Sequence, residues 1–299
     1  MKVLSFGEIL WDIIKGNAYI GGAPFNLAAH LSRMDIDTAF VSAVGDDILG
    51  ASALEVMRSY TMDCSMVRTV PGRPTGTVIV ELAVDGQPEY TITEEVAWDG
   101  IDIDSAGRSM VGITSWDTLC FGTLAQRTPA NRDTLAVIVS LAGASEIFYD
   151  VNLRQHYYAR EWIEQSLHWA TIVKLNDDEI RMLGNLLYEK TETEAECARR
   201  IMDGYGIRHI LVTRGENGAG IYSDEGYADA DAPQVTVIDT VGAGDSFSAA
   251  FLAAYGSGCA PVVALELGCA VGAFVASQRS AVPEYSAEIH RRIKEILNR

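Results

Sequence analysis

Short apolar runs rich in strand-forming residues alternate along this chain with longer stretches of helical spacing: residues 3–6, then 25–34, then 38–44, then 48–60. Strands alternating with helices read as βαβ units, whose crossovers make neighbouring strands run parallel. The rhythm returns with runs at 117–121, 146–149, 171–174 and 208–213, each followed by a polar turn or a helical stretch. A three-layer α/β/α domain around a mostly parallel sheet is expected, because strands buried on both faces read as nearly continuous apolar runs. Two segments break the rhythm. Residues 11–20 and 75–95 look like hairpins, the second turning at Asp85-Gly86 between two alternating runs. They are expected to pair into a small sheet with one face to hide, against the main body, against a second copy, or both. Residues 1–10, 21–74 and 97–299 then form the main domain, with 11–20 and 75–96 inserted as a small β lid. From about Gln234 a short strand is expected to end in a glycine-rich turn, followed by helices over 246–255, 261–277 and 286–297.

A chain of 299 residues suits one large domain with a small appendage. With 48% hydrophobic and 21% charged residues it is globular rather than disordered. Its 23 Lys and Arg against 41 Asp and Glu give a net charge of −18, a surface that repels nucleic acid and anionic lipid. The five cysteines (Cys64, Cys120, Cys197, Cys259 and Cys269) are widely spaced with no C-x-x-C, indicating neither a disulfide framework nor a zinc site. Glu8 and Asp12 interrupt any signal-peptide core, and no apolar run reaches the ~18 residues of a membrane span. A cytoplasmic protein with no membrane partner is expected.

The strongest local signal is residues 239–247, Asp-Thr-Val-Gly-Ala-Gly-Asp-Ser-Phe. Gly242, Ala243 and Gly244 let the backbone approach a ligand, and the helix that follows aims N–H groups and the positive end of its dipole at an anion. Asp245 stands at that same end. A carboxylate beside an anion hole repels a resting phosphate, but it is well placed to take the proton of a hydroxyl attacking that phosphate. The alternative is that Asp245 simply caps the helix. Residues 21–26, Gly-Gly-Ala-Pro-Phe-Asn, place two glycines before a Pro that can open a helix and an Asn that can donate and accept; alone, a hairpin end and helix start account for them.

Three more segments lie at the C-terminal ends of expected strands, the edge at which open α/β sheets bind ligands: 150–154, 174–179 and 213–218. Asn176 and Glu179, three residues apart at a helix start, share a face and suit a hydrated Mg2+. Taken singly, each segment also reads as a polar turn. None of the lysines (Lys2, Lys15, Lys174, Lys190, Lys294) follows a glycine, so there is no Walker A loop, and neither G-x-G-x-x-G nor G-x-S-x-G occurs. His30, His156, His168, His209 and His290 show no ligand spacing.

These residues together resemble the ribokinase or PfkB family of carbohydrate and nucleoside kinases. Residues 239–247 look like its C-terminal signature and 21–26 like its N-terminal one, with N-x-x-E at Asn176–Glu179 and T-x-G at Thr213–Gly215 between them in the family's order. Within the family, Gly-Gly-Ala-Pro-Phe-Asn, Asp-Val-Asn-Leu-Arg at 150–154 and the 90–99 stretch with Ala97-Trp98-Asp99 look most like bacterial fructokinases. The resemblance implies ATP-dependent phosphorylation of a monosaccharide, most readily D-fructose, with Asp245 as general base and the N–H groups of Gly242, Ala243 and Gly244 holding the transferring phosphoryl group. It places Asp12, Gly21, Gly22 and Asn26 against the sugar, with Arg154 at the sugar or the phosphate. It sets Asn176 and Glu179 around Mg2+ through water, Thr213, Gly215 and Gly218 along the triphosphate, and Gly272 and Ala273 near the adenine. Asp239 and the Val241 carbonyl are its candidate K+ ligands, although Ser280 stands where the family's cation loop commonly has Gly. The two hairpins become a lid that closes over the sugar and joins a homodimer. The same scaffold admits 2-keto-3-deoxygluconate, ribose or a nucleoside as acceptor, and a catalytically silent sugar sensor is the non-enzyme alternative.

Overall fold

A computed structural model of the chain describes residues 1–82, 88–189 and 193–297; the expected Asp85-Gly86 turn lies outside them. Along the described residues run β1 (Lys2–Phe6), β2 (Leu10–Ile14), β3 (Asn17–Gly21), α1 (Ala23–Arg33), β4 (Asp37–Gly45), α2 (Ile48–Ser59), β5 (Val67–Val70), β6 (Gly76–Leu82) and β7 (Pro88–Ile92). Then come α3 (Ser105–Ile113), β8 (Thr118–Gly122), α4 (Pro129–Ala142), β9 (Glu146–Asp150), α5 (Arg160–Trp169), β10 (Ile172–Asn176), α6 (Asp177–Tyr188), α7 (Glu194–Tyr205) and β11 (His209–Thr213). The chain finishes with β12 (Ala219–Ser223), β13 (Gly226–Ala230), α8 (Ala243–Gly256), α9 (Pro261–Ala276) and α10 (Ala287–Leu297).

Nine strands form the main sheet in the order β13-β12-β11-β10-β9-β8-β1-β4-β5. From β11 to β5 every neighbouring pair is parallel, and only β12 and β13 are added antiparallel. Alternate residues face opposite layers, as the pleat requires. Val3, Cys120, Phe148, Ile172 and Leu211 pack under α1, α8, α9 and α10, whereas Leu4, Leu119, Tyr149, Val173 and Ile210 pack under α3 to α7. Apolar side chains all round α8 and α9 fit this placement, since Ala249 to Ala254 lie between the sheet and other helices with almost no exposure. The chain winds outward from β1 to β5 and then returns to lay β8 on the other side of β1. That reversal opens a crevice at the C-terminal ends of β1, β4 and β8.

The two hairpins pair into one sheet, β3-β2-β6-β7. Each hairpin is antiparallel, and they join through a parallel pairing of β2 with β6 that sets Asp12 beside Val78. Because β2 leaves β1 and β3 runs into α1, this small sheet stands at the crevice.

The strand expected near Gln234 is absent. Residues 231–242 are irregular, with Val235, Val237 and Ile238 exposed, and the Ile238 and Asp239 N–H groups bond to the Ala276 carbonyl rather than to a strand. On that side the sheet ends in the β12–β13 hairpin, and residues 231–242 do not pair with the outer edge of β13.

Candidate active site

The glycines of the 239–247 segment start α8. Gly242 caps the helix at φ 80° and ψ −7°, a left-handed conformation, and a Cβ there would lie 2.6 Å from the Ala281 carbonyl oxygen. Ser246 N–H makes the helix's first bond, to Gly242 O at 2.9 Å, which leaves the N–H groups of Gly244 and Asp245 without an acceptor inside the helix. Ala243 N–H instead donates to Thr240 O at 3.2 Å, closing the turn.

Asp245 accepts a 2.8 Å hydrogen bond from Asn26 Nδ2 on α1, which joins the two signature motifs in space. Asn26 is buried, and its Oδ1 has no partner in the chain. Burial raises the Asp245 pKa, opposed by the Asn26 hydrogen bond and by the charges of Lys174 and Arg154. A base held ionised by a donor and two cations, yet made more basic by burial, is suited to accept a proton from a hydroxyl.

The residues expected on the sugar side gather around this carboxylate. Gly22 caps α1 at φ 110°, where a Cβ would meet the Glu8 carbonyl at 2.5 Å, and a Cβ on Gly21 would lie 2.7 Å from Asp12 Oδ2. Asp12 is pushed up to about 6 by burial and by the Asp239 charge, with Arg154 opposing. Arg154 lies in the exposed loop after β9 and, among the described residues, donates only to the Leu153 carbonyl. Glu8, one residue beyond the turn that ends β1, is a site residue that the sequence patterns do not single out. It is 3% exposed, its Oε2 is without a hydrogen-bond partner, and it lines a small internal cavity with Thr123, Asp150 and Asn152. Burial pushes it up to about 7, with Arg154 opposing and Asp245 adding to the rise.

Asn176 and Glu179 form the capping box of α6. Asn176 Oδ1 accepts from Asp178 N and Glu179 N, while Glu179 returns Oε2 to Asn176 N at 2.8 Å and gives Oε1 to Leu153 N at 2.9 Å. The polar-turn reading thus holds for their local structure. Both Glu179 oxygens keep a lone pair, whereas Asn176 Oδ1 already accepts two hydrogen bonds and leaves its amide N–H groups to a ligand or water; carboxylate oxygens of this kind suit Mg2+ through water. No cluster of three or more His, Cys, Asp or Glu side chains among the described residues makes a direct metal cage. Thr213 ends β11 beside Asn176, its hydroxyl 3.4 Å from Leu175 O; Gly215 takes φ 55°, and a Cβ on Gly218 would collide with Ala230 O. Gly272 on α9 lies against the start of α8, where a Cβ would sit 3.1 Å from Ala243 O, with half-buried Ala273 next to it. Asp239 Oδ1 accepts from Val241 N at 3.0 Å, and Ser280 Oγ accepts from Val282 N at 3.3 Å in the neighbouring loop.

Lys174 opens the 174–179 segment, although the sequence assigns it no role. It is 6% exposed on β10, directly across from Asp150 on β9, and its Nζ lies 3.1 and 3.2 Å from the two carboxylate oxygens. The signal that could have found it is a lysine inside the apolar run Thr-Ile-Val-Lys-Leu, at the ligand-binding end of a strand.

Residues 5–287 match the pfkB family of carbohydrate kinases. A fructokinase of Rhizobium leguminosarum bv. trifolii is 30% identical over 266 residues, covering 84% of this chain and 78% of its own. An aminoimidazole riboside kinase of Salmonella typhimurium is 26% identical over 258 residues, covering 82% and 78%. The ATP-bound fructokinase structure from Xylella fastidiosa superposes with a TM-score of 0.84 at 20% identity, over 100% of this chain and 99% of that one. The family match spans both signature motifs and every strand that carries a residue described above, so the chain belongs to the pfkB family of carbohydrate kinases, phosphotransferases that act on a sugar hydroxyl.

Proposed function

We propose that this protein is an ATP-dependent fructokinase. The observation that carries the reading is the Asn26–Asp245 hydrogen bond, which holds a basic carboxylate at the open end of α8 and beside the sugar-side glycines. In this reading the sugar lies against Asp12, Gly21, Gly22, Asn26 and Arg154. Asp245 takes the proton of the attacking hydroxyl as the γ-phosphoryl group passes to it, and the N–H groups of the α8 turn meet the charge that develops on the phosphoryl oxygens. Thr213, Gly215 and Gly218 line the triphosphate, and Gly272 and Ala273 the adenine. Mg2+, when bound, neutralises triphosphate charge; Asn176 and Glu179 would hold it through water. Asp239 and the Val241 carbonyl would take a K+ ion.

The small sheet acts as the lid, since Asp12 on β2 brings it to the sugar and closure excludes water. It is also the surface of a homodimer: Tyr19 and Tyr90, which the strand registers place on the same face as Asp12, are 48% and 50% exposed in the single chain. A cytoplasmic enzyme fits this role, and no helix among the described residues is long and apolar enough to cross a membrane. The similarity to the aminoimidazole riboside kinase favours a riboside acceptor as the second reading.

Coupled ADP release with MgATP across fructose, ribose, 2-keto-3-deoxygluconate and adenosine tests the acceptor. The highest kcat/KM is expected with fructose, and a higher value with another acceptor replaces it. Asp245→Asn should lower kcat by about 10²–10⁴-fold, the range for loss of a positioned base; near-normal turnover would remove Asp245 from that role.

A further inference from the structure

Lys174 brings a buried cation to the floor of the phosphate site. Its ammonium is held from one side by both oxygens of Asp150 at 3.1 and 3.2 Å. On the other side it rises against the α8 turn, so that a Cβ on Gly244 would lie 3.2 Å from Nζ. Asp150, Glu179 and Asp245 all face it: burial works to lower the Lys174 pKa, yet the three carboxylates together raise it. A buried ion pair is seldom more stabilising than an apolar pair of the same volume. Stability therefore gives little reason to place one here, whereas a ligand with several negative charges gives a strong one. Without this ammonium, a triphosphate arriving at Gly244 would meet three carboxylates and no buried counter-charge.

We propose that Lys174 is a charge-positioning residue for phosphoryl transfer, held in place by Asp150 and drawing the γ-phosphoryl group onto the open N–H groups of Gly244 and Asp245. The proposal rests on the kinase reading of the site. In the step it serves, the bond from the γ-phosphorus to the bridging oxygen of ATP breaks and that electron pair leaves on ADP. The sugar oxygen forms the new bond to phosphorus, and its proton passes to Asp245. Lys174 stays protonated throughout and contributes charge alone. Lysine acts here as a compact point charge on a straight stem, which the forked guanidinium of arginine does not reproduce under Gly244.

Removing Lys174 alone would strand a buried carboxylate, so the test uses Lys174→Met with Asp150→Asn, checked for folding by thermal melting. Should that pair not fold, Lys174→Gln with Asp150→Asn keeps an amide hydrogen bond across the strands. Binding of AMP-PNP and of AMP, each with Mg2+, is measured beside steady-state turnover. The expected result is a kcat lower by about 100-fold, the scale of losing one preorganised charge-stabilising group. The sugar KM should stay within about threefold, and the preference for AMP-PNP over AMP should fall by at least about tenfold, or ~1.4 kcal/mol. A purely structural pair would leave that preference intact, and its retention overturns the proposal whatever happens to kcat. A wild-type protein that prefers AMP-PNP but phosphorylates no sugar refutes the acceptor assignment alone, and the binding ratio still decides Lys174.

Discussion

The base proposed at Asp245 can act only while ionised, and burial raises the pH at which its ionisation occurs. The acid limb of the kcat/KM profile is therefore expected above pH ~4, the ordinary range of an aspartate. Asn26→Ala removes the N–H that favours the charged form, so the limb should move to higher pH in that variant. Profiles measured from pH 4 to 9 check this; a limb near 4 in both proteins would mean that another group titrates. Glu8 makes a second prediction, with stability as the readout. Its pKa rises from 4.5 to about 7 on burial, so the folded state favours the neutral form. That contribution is complete below pH 4.5 and is lost as pH climbs through 7. Glu8→Gln should leave the melting temperature unchanged near pH 4 and raise it at pH 8, where the stability gained is at most about 3 kcal/mol, the free energy that separates the two pKa values. Equal melting at pH 8 would show that the wild-type carboxylate finds solvent or a partner.

Between elements, His30 ties α1 to the loop beneath the turn that starts α8. Its Nε2 lies 2.9 Å from the Ala281 carbonyl and its Nδ1 2.6 Å from the Tyr285 hydroxyl, so the neutral ring donates at Nε2 and accepts at Nδ1. Burial lowers its pKa from 6.5 to about 4. Between those values the unfolded chain binds the proton and the folded one does not, so stability should fall as pH drops from 6.5 toward 4, and His30→Gln should flatten that part of the melting curve. Gly242 rests on Ala281 from the other side. Gly242→Ala would need a left-handed alanine against that carbonyl, costing about 1–2 kcal/mol in backbone strain before any clash. It should lower kcat by displacing the turn, which turnover of the folded variant would reveal. These elements also mark what the sequence disclosed. The parallel strands were legible because continuous apolar runs are their direct consequence, and the α8 turn because glycine spacing serves a backbone requirement. The β12–β13 hairpin was not legible, since periodicity does not say which of several short alternating segments joins the sheet. The pairing of Lys174 and the surroundings of Glu8 stayed hidden because Asp150 and Ala23 are brought to them by strand order and chain entry, not by spacing.

For the molecule as a whole, a net charge of −18 describes the solvated exterior and says little about the cleft, where Arg154, Lys174, a helix end and backbone N–H groups are concentrated. The small sheet is likewise a property of the assembled chain. Its two hairpins are far apart in sequence and are held together by the β2–β6 pairing. If a second copy covers the face bearing Tyr19 and Tyr90, sedimentation should give a dimer for the wild type and a monomer for Tyr19→Ser with Tyr90→Ser; a wild-type monomer across the micromolar range would refute that interface. The Asn26–Asp245 bond spans 219 residues of sequence. On a ribosome adding about 5–20 residues per second, Asn26 waits roughly 10–45 s for its partner to be made. During that interval α1 can sit on β1 and β4 while the face later covered by α8 stays bare. Newborn chains are thus most exposed to premature association through that apolar face, and the Asp245 carboxylate arrives only as the last helices close it.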